Sequence, residues 1–240
     1  MTNNGSLVLI SNPDKKNHEV WNAERDLMDI PCPSRIAIIG SPNSGKSTLI
    51  LNFLLKAKPF YKNIFLSHPA LRYSGDTDPD EDDIDEFDVD VPEYKHIDFT
   101  PLYEIPGTKF FDNDCKKQVY IMDDIEMKTL DKDQKKKLNK VMSYASSHHN
   151  LTIIVGLQDP FSQLPPCVLR FTNVFILYKY NDVNYMRLLC NRIGISRKQT
   201  DKVLDEMKDY GLHDFLVIDN TVNSPCKFRK NMYQRIDFLS

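Results

Sequence analysis

Long hydrophobic runs are missing from this 240-residue chain. Its longest apolar stretches, such as Ile36-Ala37-Ile38-Ile39, fall far short of the roughly 18 residues that a membrane span requires. Mean hydropathy is -0.45, and Met1-Thr2-Asn3-Asn4-Gly5 lacks the basic-then-apolar pattern of a signal peptide. The reading is therefore a soluble, intracellular chain without a membrane span. Cysteine is sparse: Cys32, Cys115, Cys167, Cys190 and Cys226 are odd in number, and no two form a C-x-x-C pair. That argues against a disulfide framework and against a structural zinc site, and predicts buried reduced thiols. Glycine is sparse too, with 8 in the whole chain, so a motif that needs two at fixed spacing is informative. Net charge is only -3, yet ten acidic and no basic residues lie between Asp76 and Asp90, which leaves the remainder at +7. A basic body is compatible with a polyanionic partner without requiring one.

What is present reads as a globular α/β chain, with 41% hydrophobic and 27% charged residues. Residues 1–32 are mixed and polar apart from Leu7–Ile10, and read as an N-terminal extension to a domain at 33–240. β-branched or apolar runs predict buried strands at Arg35–Ile39, Asn63–Ser67, Gln118–Met122, Leu151–Gly156, Asn173–Tyr178 and Phe215–Asp219. Helical spacing appears from Lys46 to Lys58, after Asp131, from about Asp182 to Arg192, and from Ser196 to Tyr210. Ser196 with Gln199 makes a capping box, and Gly194 and Gly211 are stops. Asp159–Pro166 reads as a proline-rich loop. The dense acidic segment at about 74–92 reads as a surface loop; its Asp76-x-Asp78-x-Asp80 start fails as a calcium loop because Glu81 and Phe87 occupy the positions of the required glycine and glutamate. Strands alternating with helices predict a mostly parallel sheet covered on both faces.

Chemistry enters at Gly40-Ser41-Pro42-Asn43-Ser44-Gly45-Lys46-Ser47, followed by Thr48, a gapless G-x-x-x-x-G-K-[ST] between a strand and a helix. Its turn aims backbone N–H groups at phosphate oxygens, and the glycines let the backbone bend and approach closely. Lys46 reaches the β- and γ-phosphates, Ser47 offers its hydroxyl to Mg²⁺, and the helix N-terminus adds its dipole. ATP and Mg²⁺ are the implied ligands. Asp123, at the carboxyl end of a strand, is placed to join the magnesium shell. Asp124 can orient or deprotonate the attacking water, with Glu126 a rival for that role. Gln158 directly follows another strand, where a glutamine can sense the γ-phosphate or hold the lytic water by hydrogen bonding. Arg170 precedes a strand and can offer its planar fork to phosphate in a neighbouring subunit. Weaker candidates are His148-His149, which read as helix-end caps, and His68, a loop residue. Lys135–Lys137 reads as a solvated helix face rather than a DNA patch, and Phe110-Phe111 and Tyr178–Tyr180 as core or edge aromatics.

The order of these motifs resembles the genome-packaging ATPases of the FtsK–HerA superfamily, found in poxviruses, other large DNA viruses, virophages and membrane-containing phages. The resemblance spans roughly 33–220 and rests on the phosphate loop, NIFLSHP, the strand ending in Asp123-Asp124, TIIVGLQ, Arg170 and NVFILYKYND. It implies a RecA-like P-loop NTPase that moves double-stranded DNA into a preformed capsid as a homo-oligomeric ring, pentamer or hexamer. A capsid or portal-vertex component would be a partner, and the host cytoplasm (virus factory) or the virion its location. By this match Asp124 activates water, Gln158 is the polar sensor and Arg170 the finger acting in trans. Cellular relatives commonly end the second motif in Asp-Glu, whereas this chain has Asp-Asp, so Asp124 and Glu126 both stay candidates. Two other classes fit a bare P-loop: an ATP-dependent partner-binding switch, and a small-molecule kinase using Arg187, Arg192 and Arg197 as a lid.

Overall fold

Arg35–Ile39 forms β1, and four of its five residues are buried, as a strand with neighbours on both edges and cover on both faces must be. It lies between two parallel partners, β5 (Leu151–Leu157) and β6 (Val174–Tyr178). The computed structural model describes residues 25–26, 28–57, 60–69, 99–111, 117–163, 165–221, 224 and 226–236. The acidic segment at about 74–92 and the Leu7–Ile10 run lie outside the described residues. Chain order continues from β1 through α1 (Lys46–Lys56), β2 (Asn63–Ser67), β3 (Phe99–Pro101), β4 (Gln118–Asp123) and α2 (Lys132–Lys140) to β5. After β5 come α3 (Pro160–Gln163), α4 (Pro166–Phe171), β6, α5 (Val183–Arg192), α6 (Arg197–Met207), β7 (Phe215–Asp219), β8 (Phe228–Lys230) and β9 (Gln234–Arg235).

Among the described residues these make one nine-stranded sheet in the order β3-β2-β4-β5-β1-β6-β7-β8-β9. The run from β3 to β6 is parallel, as the sequence predicts. β7, β8 and β9 add antiparallel. The period-2 alternation of the strands separates two cores. Ile36, Ile38, Val119, Ile121 and Ile154 meet α1 through Leu49, Ile50, Phe53 and Leu54 on one face. Ala37, Ile39, Tyr120, Met122, Ile153 and Val155 meet α2 and the turn after it, α5 and α6 through Leu138, Val141, Met142, Leu189 and Val203 on the other. The α/β class and the helix cover on both faces are thus as expected.

Several local expectations are corrected. Asp159–Pro166 is not a plain loop: Pro160 opens α3 and Pro166 opens α4. Proline suits the first turn of a helix, where its missing N–H costs no hydrogen bond. The helix capped by Asp131, whose side chain accepts from the Gln134 N–H, continues past α2 as a π turn at Val141–Ala145 and a last α turn at Ser146–His148. Within the π turn the Arg35 guanidinium donates to the Met142 carbonyl at 3.2 Å; a side chain inserted at the ladder is one recognised cause of such irregularity. Cys190 is buried, but Cys32 and Cys226 are only half-buried; all three are free thiols. Arg229, in β8, is a buried cation. It is 1% exposed and donates to Asp29 at 2.5 Å, while Arg25 donates to Asp219 at 2.8 Å. This buried ionic group ties Arg25 and Asp29 to β7 and β8.

Candidate functional site

The carboxyl ends of β1, β4 and β5 converge because β5 separates the other two, and ligands of open α/β sheets bind at that edge. At the end of β1 the phosphate loop is a tight concave turn. A Cβ on Gly40 would fall 2.6 Å from Ser44 Oγ and 2.8 Å from a ring carbon of Tyr178. Gly45 takes φ +101°, a left-handed conformation that other residues rarely adopt. Ser41 is half-buried, Pro42 and Asn43 are exposed, and Ser44 Oγ is buried without a hydrogen-bond partner. Lys46 is buried, and its Nζ donates to the carbonyls of Gly40 (3.1 Å) and Ser41 (3.2 Å). Ser47 and Thr48 begin α1, whose N-terminal N–H groups open onto the same turn. Every residue of the predicted loop is therefore at this edge.

Two contacts that sequence reading missed brace the turn from outside. Tyr178, read as a core or edge aromatic, donates its hydroxyl to the Gly45 carbonyl at 3.2 Å. Burial raises the Tyr178 phenol well above its usual range, so it remains a donor at neutral pH. His213, in the turn before β7, lies with Nδ1 3.1 Å from the Ser44 carbonyl. A carbonyl only accepts, so Nδ1 carries the hydrogen. No local pattern marks His213, because the contact joins residues far apart in sequence.

Across from the loop, Asp123 ends β4, and its Oδ2 accepts from Ser47 Oγ at 3.5 Å. Its carboxylate lies over Gly156 of β5, directly opposite in the register. A Cβ on Gly156 would fall 1.8 Å from Asp123 Oδ1. The signal was present in the sequence: a lone glycine inside a β-branched strand marks close approach of another group. Ser47 and Asp123 supply two hard oxygens on one side of the loop, a donor set that fits Mg²⁺ completed by phosphate and water oxygens. Gly156→Ala must displace the Asp123 carboxylate while leaving both strands paired. The expected result is a tenfold or greater rise in the Mg²⁺ concentration needed for half-maximal turnover, checked by magnesium titration of ATP hydrolysis.

Asp124 follows with φ 50° and donates its N–H to the Gly156 carbonyl at 3.1 Å. Its Oδ2 accepts from Gln158 Nε2 at 2.7 Å, and its Oδ1 is buried without a hydrogen-bond partner. Glu126 is exposed in the following turn, where its carbonyl accepts from Thr129. The structure thus joins Asp124 to Gln158 and leaves Glu126 outside. Among the described residues no cluster of three His, Cys, Asp or Glu side chains is placed to hold a metal.

Arg170 is elsewhere. It is exposed near the end of α4, above its own Phe171 ring at 5.0 Å. Asn173, three residues on, donates its N–H to the Arg35 carbonyl at the amino edge of the sheet. The length of β1, roughly 16 Å, separates that edge from the phosphate loop. The kinase-type arginines do not gather over the loop either. Arg187 bonds Asp201 at 3.4 Å. Arg192 and Arg197 flank Ile193, whose carbonyl accepts from Asn220 just beyond the end of antiparallel β7, again at the amino edge. His148 stacks on Tyr144 at 3.9 Å at the end of the π-containing helix, and His68 follows β2, half-buried. Lys137 bridges Asp133 and Glu104, whereas Lys135 and Lys136 are exposed, as a solvated face predicts. Phe111 is buried against Phe65 and Tyr120, and Phe110 is half exposed.

No protein-family model and no curated sequence matches the chain. Solved structures do. The genome packaging NTPase B204 from Sulfolobus turreted icosahedral virus 2, in complex with ATP-gammaS, aligns with TM-score 0.53 at 16% identity, covering 82% of this chain and 95% of that one. The DNA-packaging ATPase B204 from Sulfolobus turreted icosahedral virus aligns with TM-score 0.56 at 16% identity, covering 85% and 98%. The pCW3 conjugation coupling protein TcpA with ATPgS gives TM-score 0.51 at 14% identity, covering 88% of this chain and 62% of that one. At such identities the likeness is one of fold: this chain has the α/β P-loop NTPase fold that viral genome-packaging NTPases share with a conjugation coupling protein.

Proposed function

We propose that this chain hydrolyses Mg·ATP to move double-stranded DNA into a preformed viral capsid, working as a homo-oligomeric ring. The observation that carries the reading is the arrangement around Lys46. A phosphate loop faces a Ser47–Asp123 oxygen pair and, beside it, an Asp124 carboxylate held by Gln158. The sharing of this fold with packaging NTPases supports the choice of DNA as the object moved.

In this reading Lys46 leaves its two loop carbonyls for the β- and γ-phosphates, which the N–H groups of the loop and of α1 also hold. Bound Mg²⁺ would be held by Ser47 and Asp123 and would neutralise charge on the transferring phosphoryl group. Asp124 orients the attacking water and takes its proton on the carboxylate. Gln158, bonded to that carboxylate, holds it in register with the γ-phosphate. Arg170 sits about a strand length from its own phosphate loop, so its role as a finger requires the phosphate of a neighbouring copy. No observation favours a kinase lid: Arg187 is engaged with Asp201, and Arg192 adjoins Ile193 at the amino edge.

Arg170 gives the test of the ring. Arg170→Ala is expected to bind ATP normally and to lose about 10³-fold in turnover, within the range for arginine fingers. Co-assembled with Lys46→Ala, it is expected to regain part of that turnover, because an intact Arg170 from one copy then faces an intact loop from the other. Steady-state ATP hydrolysis by verified mixed assemblies checks this. Full activity of Arg170→Ala alone, or no recovery on mixing, contradicts the trans role.

A further inference from the structure

Gln163, in α3, has no place in the mechanism so far, yet its side chain closes the loop that carries the sensor. Its Oε1 accepts from both the Gln158 N–H and the Asp159 N–H, each at 2.9 Å. Asp159 Oδ1 in turn accepts from the Phe161 N–H at 2.9 Å and from the Tyr185 hydroxyl of α5 at 2.8 Å. Tyr180 donates its hydroxyl to the Gln158 carbonyl. The Tyr185 ring packs edge-on against Phe161 at 5.0 Å and tilted against Tyr180 at 4.9 Å. Both phenols are raised well above the usual range, chiefly by burial and further by neighbouring Asp159, so they stay protonated donors.

Gln158 is therefore held at three points. Gln163 takes its N–H, Tyr180 its carbonyl, and Asp124 its side-chain amide. The backbone anchors matter because the side chain has three rotatable bonds and, among the described residues, donates to one acceptor, Asp124 Oδ2. An unanchored strand end would let the amide swing off Asp124 at the cost of a single hydrogen bond, and misplacement on the order of 1 Å can cost about 10²-fold in rate.

We infer that Gln163, supported by Tyr185 through Asp159, is a positioning residue that fixes Gln158 against the Asp124 carboxylate. This rests on the proposed ATPase reading. Gln163 touches no reacting atom; it acts through the backbone of residues 158 and 159. The acceptor oxygen is what counts, so Gln163→Met and Gln163→Glu should part company: both keep the length of the side chain, and only the second keeps an acceptor for two N–H groups.

The test uses the full chain and four variants: Gln163→Met, Gln163→Glu, Tyr185→Phe and Gln158→Ala, with Gln163→Met also placed in the Gln158→Ala background. Gln163→Met is expected to lower kcat for ATP about tenfold with KM changed less than twofold, and Gln163→Glu to recover most of the loss. Tyr185→Phe removes one oxygen and keeps the ring contacts; it should lower kcat about threefold, again without moving KM. In the Gln158→Ala background, Gln163→Met should cost less than twofold, because the group it positions is gone. Amide hydrogen exchange should quicken at Gln158 and Asp159 in Gln163→Met and stay unchanged along β5. A Gln163→Met enzyme with wild-type kcat, an effect on KM instead, or the same tenfold loss in the Gln158→Ala background overturns the inference while leaving the ATPase reading standing. A wild type without ATP turnover overturns both.

Discussion

Replacing Lys46 with alanine is expected to abolish ATP turnover, the largest single effect the site allows, while the protein melts as the wild type does. The lysine is buried, but its ammonium bonds only the Gly40 and Ser41 carbonyls, both within the loop it serves. Neither core face depends on it: α1 is anchored by Leu49, Ile50, Phe53 and Leu54. Removing the charge takes away a cation, held on the loop itself, that can meet phosphate oxygens as charge develops there. Hydrolysis measured beside a thermal melt separates the two outcomes. Wild-type turnover in the variant refutes the phosphate-loop assignment, and a collapsed melt shows that Lys46 is structural.

The second large effect falls on the two carboxylates that compete for the water. Asp124→Asn keeps an oxygen to accept from Gln158 Nε2 and loses the charge that takes a proton. Turnover should fall about 10²-fold, the lower part of the range for a general base, with Mg·ATP affinity changed less than threefold because Ser47 and Asp123 are untouched. Glu126→Gln should change turnover less than threefold, since Glu126 is exposed in a turn of its own. Single-turnover hydrolysis and nucleotide titration on both variants check the pair. A crippled Glu126→Gln with a mild Asp124→Asn reverses the assignment.

What could be read from sequence and what could not divide along a physical line. The phosphate loop is a contiguous device: its glycine spacing, its lysine and its flanking strand and helix all lie between Arg35 and Lys56. Asp123 and Asp124 were legible because a buried apolar strand must end somewhere, and a pair of carboxylates at its end is costly unless that edge has a use. Gly156 carries a signal of its own, since a glycine inside LTIIVGLQ weakens the strand unless it admits a neighbour. The π turn was hidden because the apolar spacing of Leu138, Val141, Met142 and Ala145 suits an ordinary helix as well. The prolines at 160 and 166 make Asp159–Pro166 look like a proline-rich loop, whereas at a first turn each starts a helix. The antiparallel addition of β7 cannot be read from FLVID, which looks the same in either direction. Tyr178, Gln163 and His213 act through single contacts across folded distance, and no local pattern announces those. The same holds for Arg229, whose burial depends on Asp29 two hundred residues away.

The proposed motor function requires that ATP hydrolysis by this chain answer to DNA. The direct measurement is steady-state ATP turnover with and without long duplex DNA, at saturating Mg·ATP and low salt, so that phosphate contacts are not screened. For a DNA motor, turnover is expected to rise severalfold with duplex DNA, to fall back as salt is raised, and to vanish in Lys46→Ala. Turnover that ignores duplex DNA at every salt concentration would contradict that function.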